Sequence, residues 1–337
     1  MLKKLLFFAA VGLALFGGLR PAMALQGPAS EYYDAFKGKT IAFVPITMAS
    51  TIVQSWAAGL KRDFTPLGVK FVIRDGNFDT NASAQAITDL INQHVNVIIV
   101  QNNDLQAFTR LYRQAEKAGI YVVQIAMQSA VKTDAYVGAD WTALGEQMGQ
   151  DAIQACSVKA GKSGEIALVQ GAMTSANGIF VTAGIKKAIA DHPDIKIVAN
   201  QGADWDPSKA FSIASTVLQQ HPHLCAFLGY WDGQDHGIAA AIKQAGDTGK
   251  VLLMSSGAGE QKSCDAVKDG SFDIYYKYDS RTVVQQIVDT VSFLLQAHPK
   301  AGTMKVVQIT PIIKLTKATV TPESCWSRAD YIGDTLK

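Results

Sequence analysis

Gly229-Tyr230-Trp231-Asp232-Gly233-Gln234-Asp235-His236-Gly237 gathers two carboxylates, an imidazole and two aromatic rings in one short stretch. Such a set could hold a metal, run acid–base chemistry or seat a ligand. A metal needs convergent donors and a further ligand. On a helix starting near Asp232, Asp232 and Asp235 share a face, but His236 is offset by one position, and no further ligand cluster is visible. The helix dipole alone favours acids in a first turn. Asp232 is therefore expected as a helix cap facing a cleft, with Asp235 and His236 on the helix surface.

Other catalytic signatures are missing. There is no phosphate-binding G-x-x-x-x-G-K-[ST], no G-x-G-x-x-G after a strand, no G-x-S-x-G and no H-E-x-x-H. His94, His192, His221, His223 and His298 sit beside strands or near prolines at helix ends and read as surface or cap residues. No catalytic residue, metal or cofactor is called for.

The elements that must position such residues alternate regularly. Short apolar runs at 40–45, 69–74, 95–101 and 120–125 alternate with helical patterns at 51–66, 82–93 and 105–118. A second series has strands at 165–170, 195–201, 225–229, 251–255 and 272–276, with helices at 175–191, 207–220, 232–246 and 259–268. The segment 135–141 divides the two series. A helix over 280–297 and a β-rich segment, 305–315, crossing Pro311 follow. Continuous apolar strands each followed by an amphipathic helix predict an α/β fold with two doubly wound parallel sheets.

In such sheets ligands bind beyond the carboxyl ends of the strands. The residues there are amides, small hydroxyls and tryptophans, among them Ser50, Gln101, Asn102, Trp205 and Trp231. Trp205 and Trp231 offer flat faces for a ring or a cation. Gln101, Asn102, Ser50 and Asp232 are expected to orient the ligand. Tyr275, Tyr276 and Tyr278 alternate, so only one face of that run can look into a cleft.

The beginning of the chain points outward. Lys3 and Lys4 precede an uncharged, mostly apolar run over 5–18, and Ala22-Met23-Ala24 reads as a cleavage site. Residues 1–24 are thus expected to be a signal peptide directing the chain to a bacterial periplasm. The chain has 31 basic and 29 acidic residues; export would remove Lys3, Lys4 and Arg20 and no acid, leaving a formal charge of −1. A nearly neutral chain has no electrostatic footprint for nucleic acid. The four cysteines allow three pairings; Cys264 with Cys325 and Cys156 with Cys225 are preferred, against four free buried thiols.

These residues carry a resemblance. The chain resembles a type I periplasmic binding protein of the ribose-binding-protein-like group, the receptors of sugar ABC transporters. It does so through Ile41-Ala42-Phe43-Val44 leading to Gly59, Val97-Ile98-Ile99-Val100, Asp140, Gln170-Gly171 with Thr174-Ser175-Ala176 and Gly184, Ala203-Asp204-Trp205-Asp206, Asp232 and Asp269-Gly270. The resemblance implies two lobes joined by three crossovers: 25–137 with 279–310, and 138–278 with 311–337. It implies a monomer clamping one small molecule and passing it to a membrane permease driven by a separate ATPase. A chemotaxis or sensor-kinase receptor is the alternative, and an exported hydrolase a weaker one.

Carried over by position, the ligand contacts are Ser50, Ile52, Gln101, Asn102, Met127, Phe180, Trp205, Trp231, Asp232, Ser256 and Tyr278. The departures are informative. The family's Asp-Arg pair is Ala126-Met127 here, its helix Arg is Val181 beside Phe180, its Asp near position 257 is Gly257, and Trp231 stands where an Asn is usual. Each sugar hydroxyl left unpaired would cost about 1–3 kcal/mol. The implied cargo is a deoxygenated, aromatic or cationic molecule rather than ribose.

Overall fold

The computed structural model describes residues 28–336; the expected signal peptide lies outside them. Twelve strands, β1 to β12, run Thr40–Val44, Lys70–Ile73, Val97–Val100, Tyr121–Ile125, Ala135–Gly138, Glu165–Gln170, Lys196–Gly202, Ala226–Gly229, Leu252–Gly257, Ile274–Lys277, Val306–Ile309 and Ile313–Thr316. They form two six-stranded sheets, ordered β11-β5-β4-β3-β1-β2 and β12-β10-β9-β8-β6-β7. All pairings are parallel except β10 with β12. Every residue of β3, β4 and β8 is buried, because helices cover both faces of a parallel sheet. This is the doubly wound two-lobe architecture expected from the alternating pattern.

Asp and Ser side chains set where the helices begin. Asp79, Asp140, Ser175, Asp206 and Asp279 each accept hydrogen bonds from first-turn backbone N–H groups, satisfying donors that have no partner inside the helix. The sequence pattern did not anticipate the helix Trp141–Cys156 capped by Asp140. Its apolar positions Trp141, Leu144, Met148 and Ala152 are buried, but Gly145 and Gly149 interrupt the pattern. Those glycines let it lie against the helix Ala176–Ala188. A Cβ on Gly145 would stand 2.1 Å from the Val181 carbonyl oxygen, and one on Gly184 2.2 Å from that of Thr142.

The chain passes between the sheets after β5, after β10 and between β11 and β12. The final β-rich segment is thus two strands in different sheets, broken at Pro311, whose missing N–H cannot continue a ladder. After β10, Asp279 pairs with Lys277 at 3.3 Å and with Arg281 at 3.1 Å. Burial raises the Asp279 carboxyl, but Arg281 and Lys277 together hold it below its usual value.

The tail departs from its expected place. Cys325 is bonded to Cys264 in the second lobe, and Cys156 to Cys225. Beyond Cys325, however, Trp326, Tyr331 and Ile332 pack with Ala58 of the first-lobe helix Thr51–Phe64, and Arg62 lies 5.4 Å from the Tyr331 ring centre. The end of the chain, placed with the second lobe above, reaches across to the first. The bond Cys264–Cys325 closes a loop with a sequence separation of 61. Cys264→Ser with Cys325→Ser should lower stability by about 2–4 kcal/mol, measured by urea unfolding.

Candidate functional site

The largest side chains at the strand ends converge on one cavity of about 500 Å³ between the sheets, a figure that includes its open mouth. Its lining follows β1 (Ile46, Thr47), β3 (Gln101), β4 (Ala126, Met127), β5 (Trp141), β7 (Trp205), β8 (Tyr230, Trp231) and β10 (Tyr278). Two helices complete it, one through Ile52, Val53 and, a turn further on, Trp56, after Ser50, the other through Asn177, together with Phe78 from the turn after β2. Four of the chain's five tryptophans are here, and no lining residue is charged.

Backbone geometry seats the rings. Trp205 has φ +64°, Ala126 +60° and Phe78 +59°, a left-handed region that costs an ordinary residue about 1–2 kcal/mol. Strain of this kind gathers at functional sites. The Trp205 ring lies against Gly171 and the Trp231 ring against Gly233; a Cβ would come within 2.1 Å of the first ring and 2.3 Å of the second, closer than either could tolerate. Trp205 meets Trp231 edge to face at 6.1 Å, and Trp141 meets Tyr278 likewise at 5.2 Å. The Trp141 indole N–H donates to the Ala126 carbonyl at 2.7 Å, tying the first crossover to the turn after β4.

Of the expected contacts, Ser50, Ile52, Gln101, Met127, Trp205, Trp231 and Tyr278 line this cavity. Asn102 does not: Tyr112 donates to its amide oxygen, and its amide nitrogen donates to the Met127 carbonyl at 2.7 Å. It positions the Met127 backbone. Ser256 donates to the Tyr230 carbonyl at 2.9 Å and so fixes the Tyr230 backbone. Phe180 borders a separate groove with Leu105 and Thr142, and Val181 is buried in the second lobe. Trp56, Trp141, Asn177 and Tyr230 were missed. The spacing of Ile52 and Trp56, one helical turn apart beyond β1, was the available signal for the first.

The acids of the opening motif turn inward rather than outward. Trp231, not Asp232, is the N-cap. Asp232 accepts hydrogen bonds from Ser263 at 2.6 Å and Tyr275 at 2.7 Å and borders a side opening with Glu260 and Lys262. Asp235 is fully buried, not a surface residue, and accepts from Ser255 at 2.6 Å. Burial, with some repulsion from Asp232, pushes its carboxyl well up. His236 stacks on Phe272 at 4.9 Å, and burial lowers its pKa to about 4. Among the described residues no three His, Cys, Asp or Glu side chains converge as a metal would need.

Two α/β lobes flanking one cleft are the architecture of a bilobal solute-binding protein. Residues 41–299 match the periplasmic binding protein domain, and the chain belongs to that family. It is 29% identical over 235 residues to the D-allose-binding periplasmic protein of Escherichia coli, covering 66% of this chain and 74% of that one. It is 26% identical over 250 residues to the ribose import binding protein RbsB of Bacillus subtilis, covering 73% and 76%. Among solved structures, an ABC transporter periplasmic solute binding protein from Actinobacillus succinogenes with bound D-allose aligns with TM-score 0.72 at 23% identity, over 83% of this chain and 98% of that one. A Mycobacterium smegmatis protein in complex with β-D-fucofuranose aligns with TM-score 0.77 at 20% identity, over 88% and 97%. The relatives named are binding proteins, and no helix among the described residues is long and apolar enough to cross a membrane.

Gly171→Ala should push the Trp205 ring from its seat, changing the near-ultraviolet circular dichroism while the far-ultraviolet spectrum stays native. Asp235 binds its proton more tightly folded than unfolded, so it makes stability fall as pH rises from the unfolded value of about 3.9 through the raised folded one. His236 acts with the opposite sign, adding stability between about 4 and about 6.5. Asp235→Asn removes only the first contribution. Its stability relative to wild type should therefore rise with pH across that window in denaturant titrations; a constant difference would refute the assignment.

Proposed function

We propose that this chain is the exported solute receptor of an ABC importer. Residues 1–24 direct it to the periplasm and are cleaved near Ala24. One lobe is built from 25–137 with 279–310, the other from 138–278 with the segment after 311 up to Cys325. The lobes close on one small, sugar-sized molecule, and the closed monomer presents it to a membrane permease whose separate ATPase drives transport.

The observation that carries this reading is the cavity itself, at the carboxyl ends of both sheets and lined by rings from each lobe. The residues there stack and hydrogen-bond; they contain no nucleophile paired with a base. The names of the relatives, binding components for ribose and allose, point the same way.

A thermal-shift screen over sugars, polyols and small aromatic compounds tests the reading. A true ligand at a hundred times its Kd should stabilise the chain by about 2.7 kcal/mol. Trp205→Ala and Trp231→Ala should each weaken that ligand at least about tenfold, or about 1.4 kcal/mol, with unfolding unchanged. Unaltered affinity in either variant would remove that ring from the site.

A further inference from the structure

Resting on the receptor reading, we infer that the cleft selects an uncharged ring compound with apolar faces and few oxygens, offering two hydrogen-bond acceptors and one donor. Charge complementarity comes first. The inner cavity has no charged side chain. The charged groups nearby stand at its openings: Asp232, Glu260 and Lys262 on one side, Asp204, Asp206 and Lys209 on the other. A carboxylate or ammonium drawn inside would lose its water and meet no counter-charge.

The unpaired atoms then define the polar complement. Buried polar atoms in folded proteins are almost always hydrogen-bonded. Yet four lining groups have no partner: the indole N–H of Trp56, the indole N–H of Trp205, the Ser50 hydroxyl and the Asn177 amide oxygen. Trp56 and Asn177 are only 1% and 2% exposed, so their polar groups are shut off from bulk solvent. An indole N–H can only donate, and the amide oxygen can only accept. The ligand must therefore bring two acceptors and one donor, with the Ser50 hydroxyl free to play either part.

The same count rejects other cargoes. A quaternary ammonium suits aromatic faces but has no acceptor for either indole. A hexose carries more hydroxyls than the four buried unpaired groups can meet, and the Tyr230 hydroxyl is already bonded to Thr182. The ring itself can be aromatic or a deoxygenated saturated one, since both present apolar faces to the paired rings.

Tryptophan-fluorescence titration of the full chain decides the matter with five probes. Guaiacol is a neutral aromatic ring with two acceptors and one donor, and digitoxose is a doubly deoxygenated hexose. D-allose, benzoate and choline represent the polyhydroxylated, anionic and cationic classes. Guaiacol or digitoxose should bind at least about tenfold tighter than the other three, and whichever binds identifies the kind of ring. Trp205→Phe keeps an aromatic face but removes the indole N–H, and it and Asn177→Ala should each weaken the preferred probe about tenfold at unchanged melting temperature. Tightest binding by D-allose overturns the inference and leaves the receptor reading standing. Tightest binding by benzoate or choline overturns the neutrality of the ligand. No binding by any probe at millimolar concentration overturns the inference too, while the broader screen judges the receptor reading separately.

Discussion

Two parallel sheets can share one ligand only if their carboxyl edges face each other, and the three segments that pass between them impose that arrangement. Each segment leaves one sheet at the gap and enters the other. Binding then falls to the turns, which must bring side chains into a narrow space at close backbone approach. Gly171 and Gly233 lie beneath the rings of Trp205 and Trp231, and left-handed turns at Ala126 and Trp205 redirect the chain at the cavity wall. The packing of each lobe sustains this local strain.

The distribution of charge follows from the same constraint. Acids near the gap point away from it and are held by hydroxyls: Asp232 by Ser263 and Tyr275, Asp235 by Ser255. A charge cluster sits at the crossover after β10 instead, in Lys277, Asp279 and Arg281. The tail adds a further tie, bonded to one lobe through Cys325 and packed on the other through Tyr331 and Ile332. Any relative movement of the lobes must therefore be accommodated by the crossovers and by the tail.

Much of this was legible in advance. Apolar runs ending in polar turns marked the strands, and Asp206-Pro207 marked a helix start that the structure places at Pro207. The helix Trp141–Cys156 was not legible, because glycines that serve a neighbouring helix look like breaks in an amphipathic pattern. Asn102 and Ser256 stand at the right strand ends, but their side chains support Met127 and Tyr230 rather than entering the cavity. Position after a strand selects candidates; the side-chain direction depends on partners far away in the chain.

The sequence by itself determined the doubly wound class, the family and a gap rich in tryptophan, because periodicity and residue type are local properties. Only the tertiary structure decided which rings meet, that the acids of the opening motif lie behind the wall, and that the cavity is free of charge. Those facts arise from packing between segments more than a hundred residues apart, such as Trp56 with Asn177 and Trp205 around one space. No spacing within a single segment encodes them.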